Sequence, residues 1–258
     1  MTLRGVSIAS ALGVLLLYGG LILSLCWFFR GDALRESLLS ERTLFSVRLS
    51  LLTATLAAGL ALALGIPAAY ALSRFRFRGR ELTDTLLEFP IIVSPAALGA
   101  MLLIFFNNPL GEWIQQNAVQ FVFGVAGIVL AQFVTVLGVA VRLLKASFDE
   151  VPVELETVAR TLGATPRHAF ATITLPLARR GLIAAFILAW AKALGEFGAT
   201  ITVAGTMAMR TETLPIAIFL RLASADIEST VAMILLLIVI GLSALYVTRR
   251  LLGRAVHA

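Results

Sequence analysis

Long apolar stretches alternate with short polar ones along most of the chain. The apolar stretches are Ile8–Phe29, Leu49–Leu72, Leu86–Phe106, Phe121–Val141, Leu182–Val203 and Thr230–Thr248. Each is long enough to cross a hydrocarbon core as a helix, which takes about 20 residues. Their Leu-, Ala- and Val-rich runs lack the alternation of barrel strands, so helices are expected. The fold class this predicts is an all-α membrane protein with six transmembrane helices. The third stretch is irregular, with Pro90, Pro95 and then Gly99. Proline removes a backbone donor and disfavours helix before it. A broken helix at membrane depth is tolerated where it is buried in protein or lines a cavity; a simple proline kink is the alternative.

The polar segments carry their own signals. The longest, Arg142 to Gly181, reads as a helix–turn–helix lying on the membrane surface. Val153 to Leu162 is its first helix, and Gly163 is placed to end it in the left-handed conformation. Thr165-Pro166 reads as the N-cap and first residue of a second short helix, which Pro176 should end. Spans tether the loop at both ends, which argues against a DNA-binding role. Asn107 to Gln120 has no basic residue and fits a short external connection, with Leu110, Trp113 and Ile114 in the interface. The expected organisation is residues 1–45 as an N-terminal helix with its external loop, and 46–258 as a core that carries the cytoplasmic loop 142–181.

Composition sharpens this reading. The chain has 258 residues, 59% of them hydrophobic, with a mean hydropathy of +0.96, which excludes an ordinary soluble domain. The net charge of +6 would suggest nucleic acid in a soluble protein, but its placement explains it better. Arg4, Arg74, Arg76, Arg78, Arg80, Arg142, Lys145, Arg160, Arg167, Arg179, Arg180, Arg249, Arg250 and Arg254 fall on one side. Arg30, Arg35, Arg42, Arg48, Arg210 and Arg221 fall on the other. Cytoplasmic loops hold the excess of Lys and Arg, so both termini are expected in the cytoplasm. Arg74–Arg80, interleaved with Phe75 and Phe77, reads as a juxtamembrane anchor to anionic lipid. The single cysteine, Cys26, rules out a disulfide framework and reads as a packing residue. The first stretch is too long for a usual signal core and no Ala-x-Ala site follows, so a retained helix is expected.

Charge inside a span is the main candidate for chemistry. The fifth stretch contains Lys192 and Glu196. On a continuous helix they share a face with Gly195, Ala199, Thr200 and Val203. Charged residues inside spans face the bundle or a water-filled cavity. Lys192 and Glu196, four apart, can pair. They read either as a structural ion pair or as contacts for a transported species. Ser94, beside Pro95, and Thr200 and Thr202 offer hydroxyls that can pass an anion without trapping it. No catalytic residues or metal site are expected: the chain has two histidines and no G-x-S-x-G, H-E-x-x-H or Walker A motif. An ion-driven secondary transporter and a membrane scaffold are the rival classes.

Gly163, a gap of nine residues and Ile173-x-Leu175-Pro176 resemble the cytoplasmic Glu-Ala-Ala loop of binding-protein-dependent ABC importer permeases. In that pattern Glu-Ala-Ala, three residues and Gly precede the nine-residue gap. Here Thr157 and Val158 take the first two positions, Ala159 the third, and Glu156 sits one residue early. Ala159–Ala164, Leu194–Thr202 and Arg210–Pro215 resemble the molybdate permeases of that family, close to those for tungstate and for sulfate or thiosulfate. The resemblance spans roughly Phe45 to Leu252. It implies a six-span permease subunit in a prokaryotic inner membrane, importing a tetrahedral oxyanion, with molybdate first. It implies a homodimer, two cytoplasmic ABC ATPases that bind ATP and Mg, and an external oxyanion-binding protein. This chain would bind no cofactor and no nucleic acid. The implied ATPase-coupling residues are Glu156, Thr157, Val158, Ala159, Arg160, Thr161, Leu162, Gly163, Ala164, Ile173, Leu175 and Pro176. The implied pathway residues are Ser94, Pro95, Lys192, Glu196, Thr200 and Thr202.

Overall fold

The computed structural model describes residues 3–28 and 39–253, and every regular element among them is helical. Helix α1 (Leu3–Leu25) buries none of its residues. Helix α2 (Glu41–Arg74) runs 34 residues. It starts earlier than expected because Ser40 caps it, accepting from the Thr43 N–H, so Arg42 and Arg48 lie inside the helix. The expectations for Phe29, Arg30, Arg35 and Arg254, and for the side chains of Cys26 and Arg249, lie outside the described residues.

The third span is broken rather than kinked. Helix α3 (Arg80–Ile92) meets α4 (Pro95–Phe106) at 111°. Pro90 lies within α3, and the break falls at Val93–Ser94. Ser94 then caps α4, accepting from the Ala97 N–H at 3.3 Å, and Pro95 sits where a helix loses no bond. Helix α5 (Pro109–Asn117) occupies what read as a plain connection; Asn108 accepts from the Gly111 N–H (2.9 Å). Helix α6 (Val125–Asp149) is the fourth span.

The loop that follows holds α7 (Val153–Thr161) and α8 (Pro166–Ala169). Pro176 does not end the second helix. A π stretch, Phe170–Thr174, widens the ladder just ahead of it, with Leu175 N–H donating to the Phe170 carbonyl. The proline is thus absorbed in the first turn of α9 (Leu175–Leu194). The helical run Pro166–Leu194 is continuous, and long and apolar enough to cross a membrane. It stops at Gly195, and α10 (Gly198–Ala204) continues separately. Helix α11 (Leu214–Ala223) is short and half-buried, and α12 (Ile227–Gly253) is the last span. Among the described residues five helices are long and apolar enough to cross a membrane, or six if the bent α3–α4 pair counts as one span.

The core is a seam of small residues. Ala54, Ala57, Ala58 and Ala61 of α2 meet Val136 and Ala140 of α6 and Ala189 and Ala193 of α9. Small residues let backbones approach closely where lipid supplies no hydrophobic drive between helices. Toward the α7–α8 loop the packing coarsens to Leu72, Val141, Leu144, Phe148 and Val151. At the other end Ala131 of α6 packs against Ala199 and Val203 of α10. So α6 runs antiparallel to α9 and α10 in turn.

Candidate functional site

Helix α7 ends as its sequence dictates. The Gly163 N–H donates to the Arg160 carbonyl (3.1 Å) and the Ala164 N–H to the Ala159 carbonyl (3.0 Å). That is the Schellman pattern, which needs a left-handed residue at C′. Gly163 supplies it with φ +93°. Thr165 then caps α8, accepting from the His168 N–H at 3.3 Å. The outward surface of α7 is apolar at helical spacing: Leu155, Val158 and Leu162 are all exposed, Leu162 to 83%. Thr157, Arg160, Thr161, Gly163 and Pro176 are exposed beside them, while Ala159, Ala164, Ile173 and Leu175 are half-buried.

Glu156 points the other way and is buried. Its carboxylate accepts from Thr174 Oγ1 (2.5 Å), Tyr70 Oη (2.8 Å) and Arg74 Nε (2.9 Å). Arg74 Nη2 also donates to the Val151 carbonyl (2.8 Å). Burial alone would push the Glu156 carboxyl up, but the three hydrogen bonds and the Arg74 charge hold it below the usual glutamate range. Tyr70 is packed by Phe75, Phe148 and Phe170, with ring centroids 5.6, 5.9 and 4.5 Å away. Glu156 is therefore an internal pin between α7, the end of α2 and the π stretch, not part of the outward face. Arg74 is likewise withdrawn from the lipid-anchor reading: its side chain is 6% exposed and ion-paired. No local pattern announces Tyr70, Arg74 and Thr174, because their partner lies far along the chain.

The two broken spans meet at their second halves. Helix α4 lies so close to α10 that a Cβ on Gly99 would sit 2.7 Å from Thr202 Cβ, and one on Gly198 would sit 3.0 Å from the Ala96 N. This brings exposed Ser94 and Pro95 beside the start of α10. Of the expected pathway hydroxyls, Thr202 is half-buried and its Oγ1 donates to the Gly198 carbonyl (2.7 Å). Thr200 is fully buried, so it does not line a passage in this protomer; among the described residues its Oγ1 has no hydrogen-bond partner.

The expected Lys192–Glu196 pair does not form. Glu196 is buried, and its Oε1 accepts from the Ala199 N–H (2.9 Å), capping α10. The helix break at Gly195 removes the continuous turn that would have stacked the two side chains. Lys192 is exposed on the protomer and takes part in no ion pair among the described residues. A second buried carboxylate, Glu212, went unsuspected. Arg42 Nε donates to both of its oxygens (3.0 and 2.8 Å), fastening α2 to the segment before α11.

A family model described as the binding-protein-dependent transport system inner membrane component matches residues 61–256. The chain is 35% identical over 251 residues to the probable molybdenum ABC transporter permease protein of Haloferax volcanii, covering 97% of this chain and 91% of that protein. It is 37% identical over 193 residues to the molybdenum transport system permease protein ModB of Escherichia coli K12, covering 72% and 83%. The fold matches a chain of a bacterial ABC transporter involved in importing the acidic polysaccharide alginate. The TM-score there is 0.76 at 18% identity, over 96% of this chain and 95% of that one.

Proposed function

This chain belongs to the binding-protein-dependent transport system inner membrane component family, and we propose that the solute it passes is a tetrahedral oxyanion, molybdate before tungstate and tungstate before sulfate. It is a multi-pass permease subunit of an ATP-driven importer and hydrolyses no nucleotide itself. The molybdate reading is supported by one observation, the resemblance to molybdenum permeases over 72–97% of the chain.

Two copies enclose the pathway in this reading. A cytoplasmic ABC ATPase, which binds ATP and Mg, docks on each copy, and an external binding protein delivers the ion. Thr157, Val158, Ala159, Arg160, Thr161, Leu162, Gly163 and Ala164 form the docking surface, with Ile173, Leu175 and Pro176 behind it. The exposed apolar stripe Leu155–Val158–Leu162 supports this role, since such a stripe on a polar loop asks for a protein groove. Both termini lie on the docking side. Nucleotide-driven closure of the ATPases shifts the population between two states of the permease pair, because each state binds the closed ATPases differently.

The test is reconstitution of the permease with its own ATPase and binding protein in liposomes. ATP-dependent uptake of radiolabelled molybdate, with competition by tungstate, is the expected result. Uptake of a sugar or amino acid with no oxyanion transport rejects the substrate.

A further inference from the structure

We infer that Lys192 is the charge that draws the anion through the membrane, one lysine from each copy facing a common water-filled passage. This rests on the reading that the solute is an oxyanion. The depth of Lys192 comes from packing. Its neighbour Ala193 shares a cluster with Val136 and Ala140, which lie midway along α6. Along α9 itself Lys192 lies twelve residues beyond Arg180, a cation expected on the cytoplasmic side; at 1.5 Å per residue that is roughly 18 Å, farther than a lysine stem reaches to a headgroup. Lys192 nevertheless lies on the outer surface of the protomer. A charged side chain at that depth faces protein or water, not lipid.

A carboxylate from a second copy could neutralise it instead, but among the described residues those nearest this depth are engaged. Glu196 is the nearest in sequence, and it is 5% exposed and engaged with the Ala199 N–H. Glu88, at the start of the third apolar stretch, is paired with Arg142 at 3.4 Å. What remains is a passage. An unpaired ammonium there attracts a dianion, while surrounding water keeps the attraction weak enough for release. The exposed start of α4, at Ser94 and Pro95, lies against Gly198, six residues beyond Lys192 in sequence. The charge therefore sits near the joint of the two broken spans.

The experiment uses the reconstituted complex of permease, ATPase and binding protein, in a Cys26→Ser background that transports normally. Lys192→Cys, which removes the lysine of both copies, should lower molybdate uptake at sub-saturating ion by at least about tenfold, the order expected for losing even one unit charge against a dianion in water. Treatment with 2-aminoethyl methanethiosulfonate, which restores a positive charge, should recover uptake. The sulfonatoethyl reagent, which adds a negative one, should not, and molybdate should slow both modifications. Lys192→Arg should retain most uptake. ATP hydrolysis stimulated by the loaded binding protein should persist throughout, which a merely structural lysine would not allow.

Equal uptake after either reagent overturns the inference. So does recovery of a Lys192→Glu variant by Glu88→Lys, which would mark a pair between copies. Uptake of a different anion with the same dependence on Lys192 upholds the inference and rejects molybdate. Uptake of a neutral solute, indifferent to Lys192, rejects both.

Discussion

Replacing Glu156 by alanine tests whether α7 is held by an internal pin. The change leaves the Arg74 guanidinium, 6% exposed, without its carboxylate. It also leaves the Tyr70 and Thr174 hydroxyls without their acceptor. Removing one partner of a buried pair costs about 3–5 kcal/mol. Detachment of α7 would let Arg74 rehydrate, so the cost stays near the lower end. At about 1.4 kcal/mol per factor of ten, the detached population of α7 rises by roughly two orders of magnitude. Hydrogen exchange reads this directly: the amides of Val153–Thr161 should exchange about a hundredfold faster, while those of α6 stay protected. Glu156→Gln keeps the acceptor and loses only the charge, so it should fall between. Unchanged exchange in the alanine variant would refute the pin.

The remaining predictions follow from single features. Gly163→Ala places a Cβ at φ +93° and should cost about 1–2 kcal/mol; weaker co-purification with the ATPase checks it, and Gly163→Asn should be milder because asparagine tolerates that region. A double-mutant cycle on Lys192 and Glu196 should give a coupling near zero, the reverse of what the sequence alone suggests, read from thermal unfolding of the solubilised permease. Asp226 caps α12, accepting from the Ser229 N–H (3.1 Å), so Asp226→Ala should destabilise by about 1 kcal/mol in the same assay. The Glu156 carboxyl is held below its ordinary value. Its contribution is therefore complete above roughly pH 4.3 and is lost as pH falls through the lowered folded value; α7 amide exchange should accelerate only in that acid window, and acceleration near neutrality would contradict it.

The spans and the α7–Gly163–Thr165–Pro166 turn were legible because they rest on local rules: apolar length, a left-handed glycine, a capping hydroxyl before proline. The two broken spans differ instructively. Pro90 and Pro95 announced the break at Val93–Ser94. Nothing as loud marks Gly195, where a carboxylate three residues before Ala199 starts a new helix and so parts Glu196 from Lys192. Helical periodicity assumes a continuous helix, and its assignment of Thr200 to a shared polar face failed there for that reason. Pro176 misled in the opposite sense, since a π stretch can absorb a proline. The Glu156 and Glu212 contacts join positions far apart in the chain, beyond any spacing rule.

The length of α2 has a consequence for how the two sides of the membrane communicate. Its 34 residues measure about 51 Å at 1.5 Å per residue, against a hydrocarbon core of about 30 Å. One rigid rod thus carries the Arg42–Glu212 clasp near its first turn and the Tyr70–Arg74 grip near its last. Both are phase-locked, because each residue added or removed between them turns one end by about 100° against the other. A single deletion among Ala57–Ala61 would swing Arg74 away from Glu156 or Arg42 away from Glu212, although it touches neither. The two clasps thus constrain the residue count of the rod between them more tightly than its side chains.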